Sequence, residues 1–308
     1  MVYGRRCEMT KRKNKIKEGN PFATVLMYAV CVLIGFITLY PMYYVLILSV
    51  SAPEFASTMK VYWFPKGFDL SAYKVLIQDT KMWRAYANTV LYVASTTILM
   101  ILTSAVVAYG LNYKKLIGRK YLNMFLLIPM YFSGGTIPSF LLITKLGLYD
   151  SPLSQIFPAC FSIWNIILVK AYFRSIPDSL SEAAKIDGAG LIQVFTKIMI
   201  PLGKPIFAVV AVYTIVGVWN SWFNAMLYLP HTEWQPLQMY LRRVLIESTQ
   251  SLKQVMDAAT AREFAMKQLS NAQLKYAMII FTSLPVLCTY PFFQKYFVKG
   301  MVLGSLKE

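Results

Sequence analysis

Six stretches of this chain run for more than twenty residues almost without charge, and that pattern limits most of what the chain can fold into. They are Phe22–Val50, Tyr86–Asn112, Tyr121–Ile143, Pro152–Phe173, Pro205–Leu229 and Tyr276–Val298. Each reaches the roughly 20 residues with which a helix crosses about 30 Å of hydrocarbon. Lipid offers the backbone no water to bond to, so helices are favoured over open strands. The pattern predicts an all-α membrane protein with six transmembrane helices, at about residues 22–50, 86–112, 121–143, 152–173, 205–229 and 276–298. Composition agrees: 57% of the 308 residues are apolar and 15% charged, against about 45–50% and about 25% in an ordinary soluble domain. Mean hydropathy is +0.49. A soluble fold with six central core helices is the alternative, and it would need too many long apolar runs at once. The first run is too long for a signal-peptide core and lacks a small-residue cleavage site, so it reads as the first span.

The formal net charge is +17, which raises the question of nucleic acid, but its distribution points to a membrane. Residues 1–20 form a basic arm with Arg5, Arg6, Lys11, Arg12, Lys13, Lys15 and Lys17, and the turn after the second span carries Lys114, Lys115, Arg119 and Lys120. With both termini cytoplasmic, these clusters, the loop after the fourth span and the tail at 299–308 fall on one side, the positive-inside pattern. Anionic headgroups account for such charge, and no nucleic-acid partner is expected. Cys7, Cys31, Cys160 and Cys288 show no paired spacing and read as free thiols.

The loops are unequal. Ser51–Ala85 and Pro230–Lys275 are long outer loops. The first places Trp63-Phe64-Pro65 and Phe68 beside a span, as interfacial aromatics are placed. The second has apolar residues at helical spacing from Met239 to Leu269, which reads either as a solvated loop or as a docking surface for an external partner. Pro129, Gly134, Gly135 and Pro138 interrupt the third span, by a break beside a pathway or by a packing kink. No internal repeat supplies a second half, so a chain of this kind needs a partner to enclose a pathway.

One inner loop, 174–204, is too long and too patterned to be a connector. Pro177 disfavours helix at Ile176, and Ser179-x-x-Glu182 has the form of a capping box. A short helix follows through Ala183–Ile186, Gly188 can stop it in a left-handed conformation, and a second helical stretch presents Phe195 and Ile198 before Pro201. Such a short, stiff helix with small exposed residues suits close approach by another protein.

Glu182-Ala-Ala-x-x-Asp187-Gly188-Ala189, then Phe195 and Ile198-Met-Ile-Pro201, resembles the EAA loop of bacterial ABC importer permeases. Phe173–Pro177, Gly147-Leu148, Trp219-Asn220 and the tail from Tyr296 to Lys307 are similar to the carbohydrate-uptake branch, typified by the smaller permease of the maltose system. The likeness runs from the first span to the last residue, the arm excepted. It implies a type I ABC importer fold in a bacterial cytoplasmic membrane: a multi-pass permease domain over 21–298, with a second homologous permease (a heterodimer), two ATPase subunits and an extracytoplasmic solute-binding protein. It implies that Glu182, Ala183, Ala184, Lys185, Asp187, Gly188 and Ala189 form the coupling helix seated on the ATPase, and that Gly300, Gly304 and Lys307 reach the same interface. A basic tail lying on headgroups would carry the same residues.

The chain has no G-x-x-x-x-G-K-[ST] loop. Its single histidine, His231, sits at a loop edge, and no constellation suggests a metal site or a catalytic residue. The expectation is a transport subunit that binds no cofactor itself, ATP and Mg being used by the partner ATPase. Trp219, Asn220, Trp222 and Asn224 join aromatic faces to amides, which reads as pathway lining for an oligosaccharide or as interfacial tryptophan with interhelical bonding. Overall similarity leans toward oligosaccharides released from polysaccharides. The alternatives are the same machinery carrying another solute, such as a glycerophosphate, or a channel or membrane enzyme without an ATPase.

Overall fold

The computed structural model describes residues 21–250, 272–289 and 291–294, and among these the regular structure is helical apart from one isolated bridge between Ser51 and Phe68. The arm at 1–20, residues 251–271 of the second long loop and the tail with Gly300, Gly304 and Lys307 lie outside the described residues. The described residues open on α1 (Pro21–Ser49), then α2 (Pro53–Thr58), α3 (Ser71–Gln78) and the long α4 (Thr80–Asn112). There follow α5 (Arg119–Tyr131), α6 (Thr136–Lys145), α7 (Leu153–Ile156), α8 (Ile163–Ser175), α9 (Asp178–Ile186), α10 (Leu191–Leu202), α11 (Lys204–Trp219), α12 (Phe223–Tyr228), α13 (Leu237–Gln250) and α14 (Ala272–Gln294).

Three of these helices, α1, α4 and α14, are long and apolar enough to cross a membrane alone. Counting each bent pair as one span gives five: α5 with α6, bent by 115°, and α10 with α11, bent by 71°. The apolar runs are thus less continuous than their composition predicts, and the breaks fall at residues with cause. Pro129 lies within α5, and Gly135 (φ +88°) sets the turn into α6. The run from Pro152 splits into α7 and α8 around residues 157–162, where Pro158 cannot donate a backbone bond. Ser162 restarts the helix, its Oγ accepting the Asn165 N–H at 3.4 Å. The run from Pro205 stops at Trp219, three residues before α12. At the second run the helix begins earlier than predicted, because the Asp79 carboxylate accepts the Lys81 N–H at 2.8 Å and caps α4.

The post of the fold is α4, 33 residues and so about 50 Å long. Its Met100, Ala105 and Ala108 meet Val169 and Phe173 of α8 and Ile206, Phe207 and Val210 of α11 in one buried cluster. Small residues on α4 bring the helix axes close, which is how packing holds helices together where lipid is as apolar as leucine. A second cluster at the Thr80 end joins Leu76, Met82, Trp219, Leu237 and Met278.

Candidate functional site

The loop after α8 folds as a helix, a left-handed turn and a second helix. Pro177 (φ −57°, ψ 129°) takes the extended N-cap conformation, and α9 begins at Asp178. This corrects the capping-box expectation: Ser179 and Glu182 lie inside the helix, and no side chain caps it. Proline's fixed φ already prepares the entry, so the helix starts too early for Ser179 to be the cap. At the other end Gly188 (φ +85°) stops α9, as expected. Its N–H donates to the Lys185 carbonyl at 3.0 Å and that of Ala189 to the Ala184 carbonyl at 2.8 Å, the paired bonds of a Schellman turn. The N–H of Gly190 then donates to Gln193 Oε1 at 2.9 Å, so Gln193 makes the reach-back bond that a cap would use.

Two groups on α4 and the turn after it hold this segment. Tyr109 donates from its hydroxyl to the Leu191 carbonyl at 3.0 Å and sets its ring 4.9 Å from that of Phe195. Lys114 Nζ donates to Asp178 Oδ2 at 2.7 Å. Through that bond and its charge, Lys114 holds the Asp178 carboxyl below its ordinary range, and Asp178 holds the Lys114 ammonium above its own. Ala184 and Ala189 rest on the core cluster, while Glu182, Ala183, Lys185, Asp187 and Gly188 face outward. Two apolar residues beside the turn are also left in the open: Ile186 is 87% and Ile192 78% exposed. Sequence reasoning placed Ile186 at the end of the short contact helix Ala183–Ile186 but passed over Ile192, although isoleucines flanking a glycine turn in a polar loop were a usable signal. It also passed over Gly203, at the bend into α11. A Cβ there would lie 2.8 Å from Phe207, 2.9 Å from the Met199 carbonyl and 3.0 Å from Phe173.

Toward the other end of α4, a cavity of about 380 Å³ opens between α4, α7, α8, α11 and α12. Gln155, Asn165 and Asn224 contribute amides to its wall, Trp164 and Tyr213 aromatic rings, and Tyr92 a phenol. Gln155 and Asn165 are buried, at 8% and 6% exposed, whereas Trp164 is 54% and Tyr213 57% exposed. Of the four residues read as pathway lining, Trp219, Asn220, Trp222 and Asn224, only Asn224 lines this cavity. Trp219 is buried among Tyr86 and Phe281 and donates from Nε1 to the Thr282 carbonyl at 2.9 Å, because a buried indole N–H needs an acceptor. Asn220 spends its amide on the Val216 carbonyl at 2.9 Å. Arg84 pairs with Glu233 at 3.3 Å, and the Arg242 guanidinium lies 4.1 Å over the Trp222 ring. His231 bonds to Asp150 Oδ2.

Residues 85–303 match the family model described as binding-protein-dependent transport system inner membrane component. Protein LplC of Bacillus subtilis (strain 168) is 35% identical over 275 residues, covering 89% of this chain and 91% of that one. The polygalacturonan/rhamnogalacturonan transport system permease protein YtcP of the same strain is 33% identical over 296 residues, 96% of this chain and 99% of that one. Among solved structures, a chain from the crystal structure of a bacterial ABC transporter involved in the import of the acidic polysaccharide alginate superposes with a TM-score of 0.80 at 29% identity, covering 91% of this chain and 98% of that one. A helical bundle of apolar spans, an exposed helix–turn–helix between α8 and α11 and a match over most of its length place this chain in the family of binding-protein-dependent transport system inner membrane components.

Proposed function

We propose that the chain is one of two permease halves of an ATP-driven importer of oligosaccharides. It crosses the bacterial cytoplasmic membrane six times with both termini inside, pairs with a second homologous permease, sits on two ATPase subunits and receives its cargo from an extracytoplasmic binding protein. The relatives named for polygalacturonan, rhamnogalacturonan and alginate support oligosaccharides released from polysaccharides as cargo. ATP with its magnesium is bound and hydrolysed by the partner ATPase. This chain converts that event into movement.

The observation that carries the reading is α9 with its turn. A rigid helix is presented on the surface with Glu182, Ala183, Lys185, Asp187 and Gly188 exposed and Ile186 beside them. Seated in a cleft of the ATPase, Ile186 and Ile192 supply apolar contact, Ala183 allows close approach, and Gly188 sets the angle. Ala184 and Ala189 transmit the motion to the core on which they rest. Gly300, Gly304 and Lys307 join the same interface. Closing of the ATPase pair draws two such helices together, and the spans rock between two states that nucleotide and binding protein favour differently. In the cavity, Gln155, Asn165 and Asn224 offer amides to sugar hydroxyls, and Trp164 and Tyr213 offer ring faces.

Purification from native membranes tests the assembly, and uptake by reconstituted vesicles tests the cargo. An ATPase and a second permease are expected to co-purify, and Ile186→Glu is expected to release the ATPase while leaving the permease pair folded. Isolation of the chain without an ATPase, or an Ile186→Glu complex as firm as the parent, would overturn the coupling role. Uptake of a solute other than a sugar would overturn the cargo alone.

A further inference from the structure

Three cations gather where α5 and α8 approach each other. Lys170 lies within the apolar stretch of α8, Arg174 follows one turn later, and Arg119 opens α5. Lys170 Nζ donates to Asn123 Oδ1, and Arg174 Nε donates to Asn112 Oδ1 at 3.1 Å, so neutral amides hold both. Arg119 and Arg174 both act on Lys170 electrostatically. Among the described residues no carboxylate pairs with any of the three, the ion pairs being Arg84–Glu233, Lys114–Asp178 and His231–Asp150. Like charges one helical turn apart repel, and an ionisable group among apolar residues of a membrane helix calls for a partner.

The space around them has the shape of an amphiphile. A groove of about 300 Å³ runs between α5 and α8, walled by Leu126, Leu127, Ile163 and Ile167 and ending at Lys170 and Arg174. On the far side of Arg174 opens a wider cleft of about 620 Å³ that Arg119, Lys115 and the coupling helix also line. None of the residues of α5 is buried, so helix packing does not close the groove. Lys170 stands five residues before the end of α8, about 8 Å along the helix, a depth from which a lysine stem reaches the headgroups.

We propose that this groove binds an anionic phospholipid, its phosphate seated among Lys170, Arg174 and Arg119 and an acyl chain lying along Leu126, Leu127, Ile163 and Ile167. Guanidinium forks match phosphate oxygens, and basic pockets between membrane helices hold such headgroups. Arg174 stands four residues before Asp178, the start of the coupling helix, so the bound lipid braces the base of the segment that moves.

The test uses the protein purified with its natural partners and placed in phosphatidylcholine discs with and without phosphatidylglycerol, the retained lipid being counted by native mass spectrometry. Phosphatidylglycerol is expected to stay with the protein. Lys170→Gln and Arg174→Gln are each expected to weaken it about fivefold, as loss of one cation near a membrane surface does. Lys120→Gln, which removes an exposed charge outside both cavities, is expected to leave retention unchanged. Leu127→Trp, at a residue 40% exposed, fills the groove without touching charge and is expected to displace the lipid. Should Lys170→Gln fail to fold, Arg174→Gln and Leu127→Trp carry the test, since both residues are exposed. A loss with Lys120→Gln equal to that with Arg174→Gln would reduce the site to diffuse surface charge and overturn the proposal. So would inorganic phosphate competing fully with the lipid while Leu127→Trp has no effect, which would describe an anion site without a chain.

Discussion

The segments packed on the Thr80 end of α4 and the α9 helix near its Asn112 end are held in different ways. At the Thr80 end, side chains reach backbone far away in sequence. Asn88 Nδ2 donates to the carbonyls of Glu233 at 2.7 Å and Gln235 at 3.2 Å, the Tyr92 hydroxyl donates to that of Trp234 at 2.7 Å, and Thr89 Oγ1 accepts the Leu237 N–H at 2.8 Å. Buried Gln273 does the same for the segment before α3, donating to the Asp69 carbonyl at 2.9 Å. At the Asn112 end, α9 stands chiefly on its own backbone turn, with Tyr109 and Lys114 as side-chain ties. Satisfied buried polar networks make a region rigid and single-valued. A helix that needs few such ties keeps a face free, so the fold is fixed where it encloses a polar cavity and leaves α9 exposed at the other end, as the proposed coupling role requires.

The contrast breaks first at Asn88. Asn88→Ala leaves the Glu233 and Gln235 carbonyls without their donor in a buried site, a loss of about 3 kcal/mol at the unfolding midpoint in detergent. A neutral result would mean that water replaces the donor and that this end is not fixed as described. Next in size is Gly203→Ala. The added Cβ meets ring carbons and a backbone oxygen at 2.8–3.0 Å, and overpacking of that kind costs about 2 kcal/mol. Its mark is expected on stability and on coupling together, because it shifts the bend between α10 and α11.

Gly188→Val sharpens the contrast more selectively. Nothing lies within 4 Å of its Cβ position, so packing is untouched, but φ is +85° and a β-branched residue resists it. A local cost of about 1–2 kcal/mol is expected to re-aim α9. Thermal stability of the permease should barely move while ATPase co-purification falls. A large drop in stability with the ATPase still bound would make Gly188 a folding residue.

What could be read from the sequence follows the same division. Gly188 was legible because a left-handed turn is a local property that glycine announces by itself. The six apolar runs were legible as lipid-compatible, but the breaks near Pro158 and after Trp219 depend on which neighbours accept the freed backbone groups. The capping box failed locally, since Pro177 starts α9 before Ser179 can cap it. The cavity was the least legible feature. Asn165 and Asn224 reach it from helices separated by the whole of loop 174–204, and Gln155 lies in an apolar run whose interruption had to be known first. Trp219 stayed open between two readings because a Trp-Asn pair on an apolar helix serves a core or a pathway equally well until the partner of its N–H is seen.

The smallest expected effect lies at the pair that ties α9 to the turn after α4. Lys114 and Asp178 are 2.7 Å apart with side chains 78% and 70% exposed, where water screens the attraction. The Asp178 carboxyl is held below its ordinary 3.8, so what the pair adds is present above that value and is lost as pH falls through the lowered one. The Lys114 ammonium is held above its ordinary 10.5, so its share is present below that value and is lost as pH rises through the raised one. Between those limits the contribution is flat. Asp178→Asn is therefore expected to change the thermal midpoint only slightly at neutral pH, with the difference vanishing in high salt and in acid. The pair orients a helix that the Schellman turn and Tyr109 already hold. A destabilisation by Asp178→Asn as large as that of Asn88→Ala would mean that α9 too is fixed by its side chains, and its contrast with the Thr80 end of α4 would disappear.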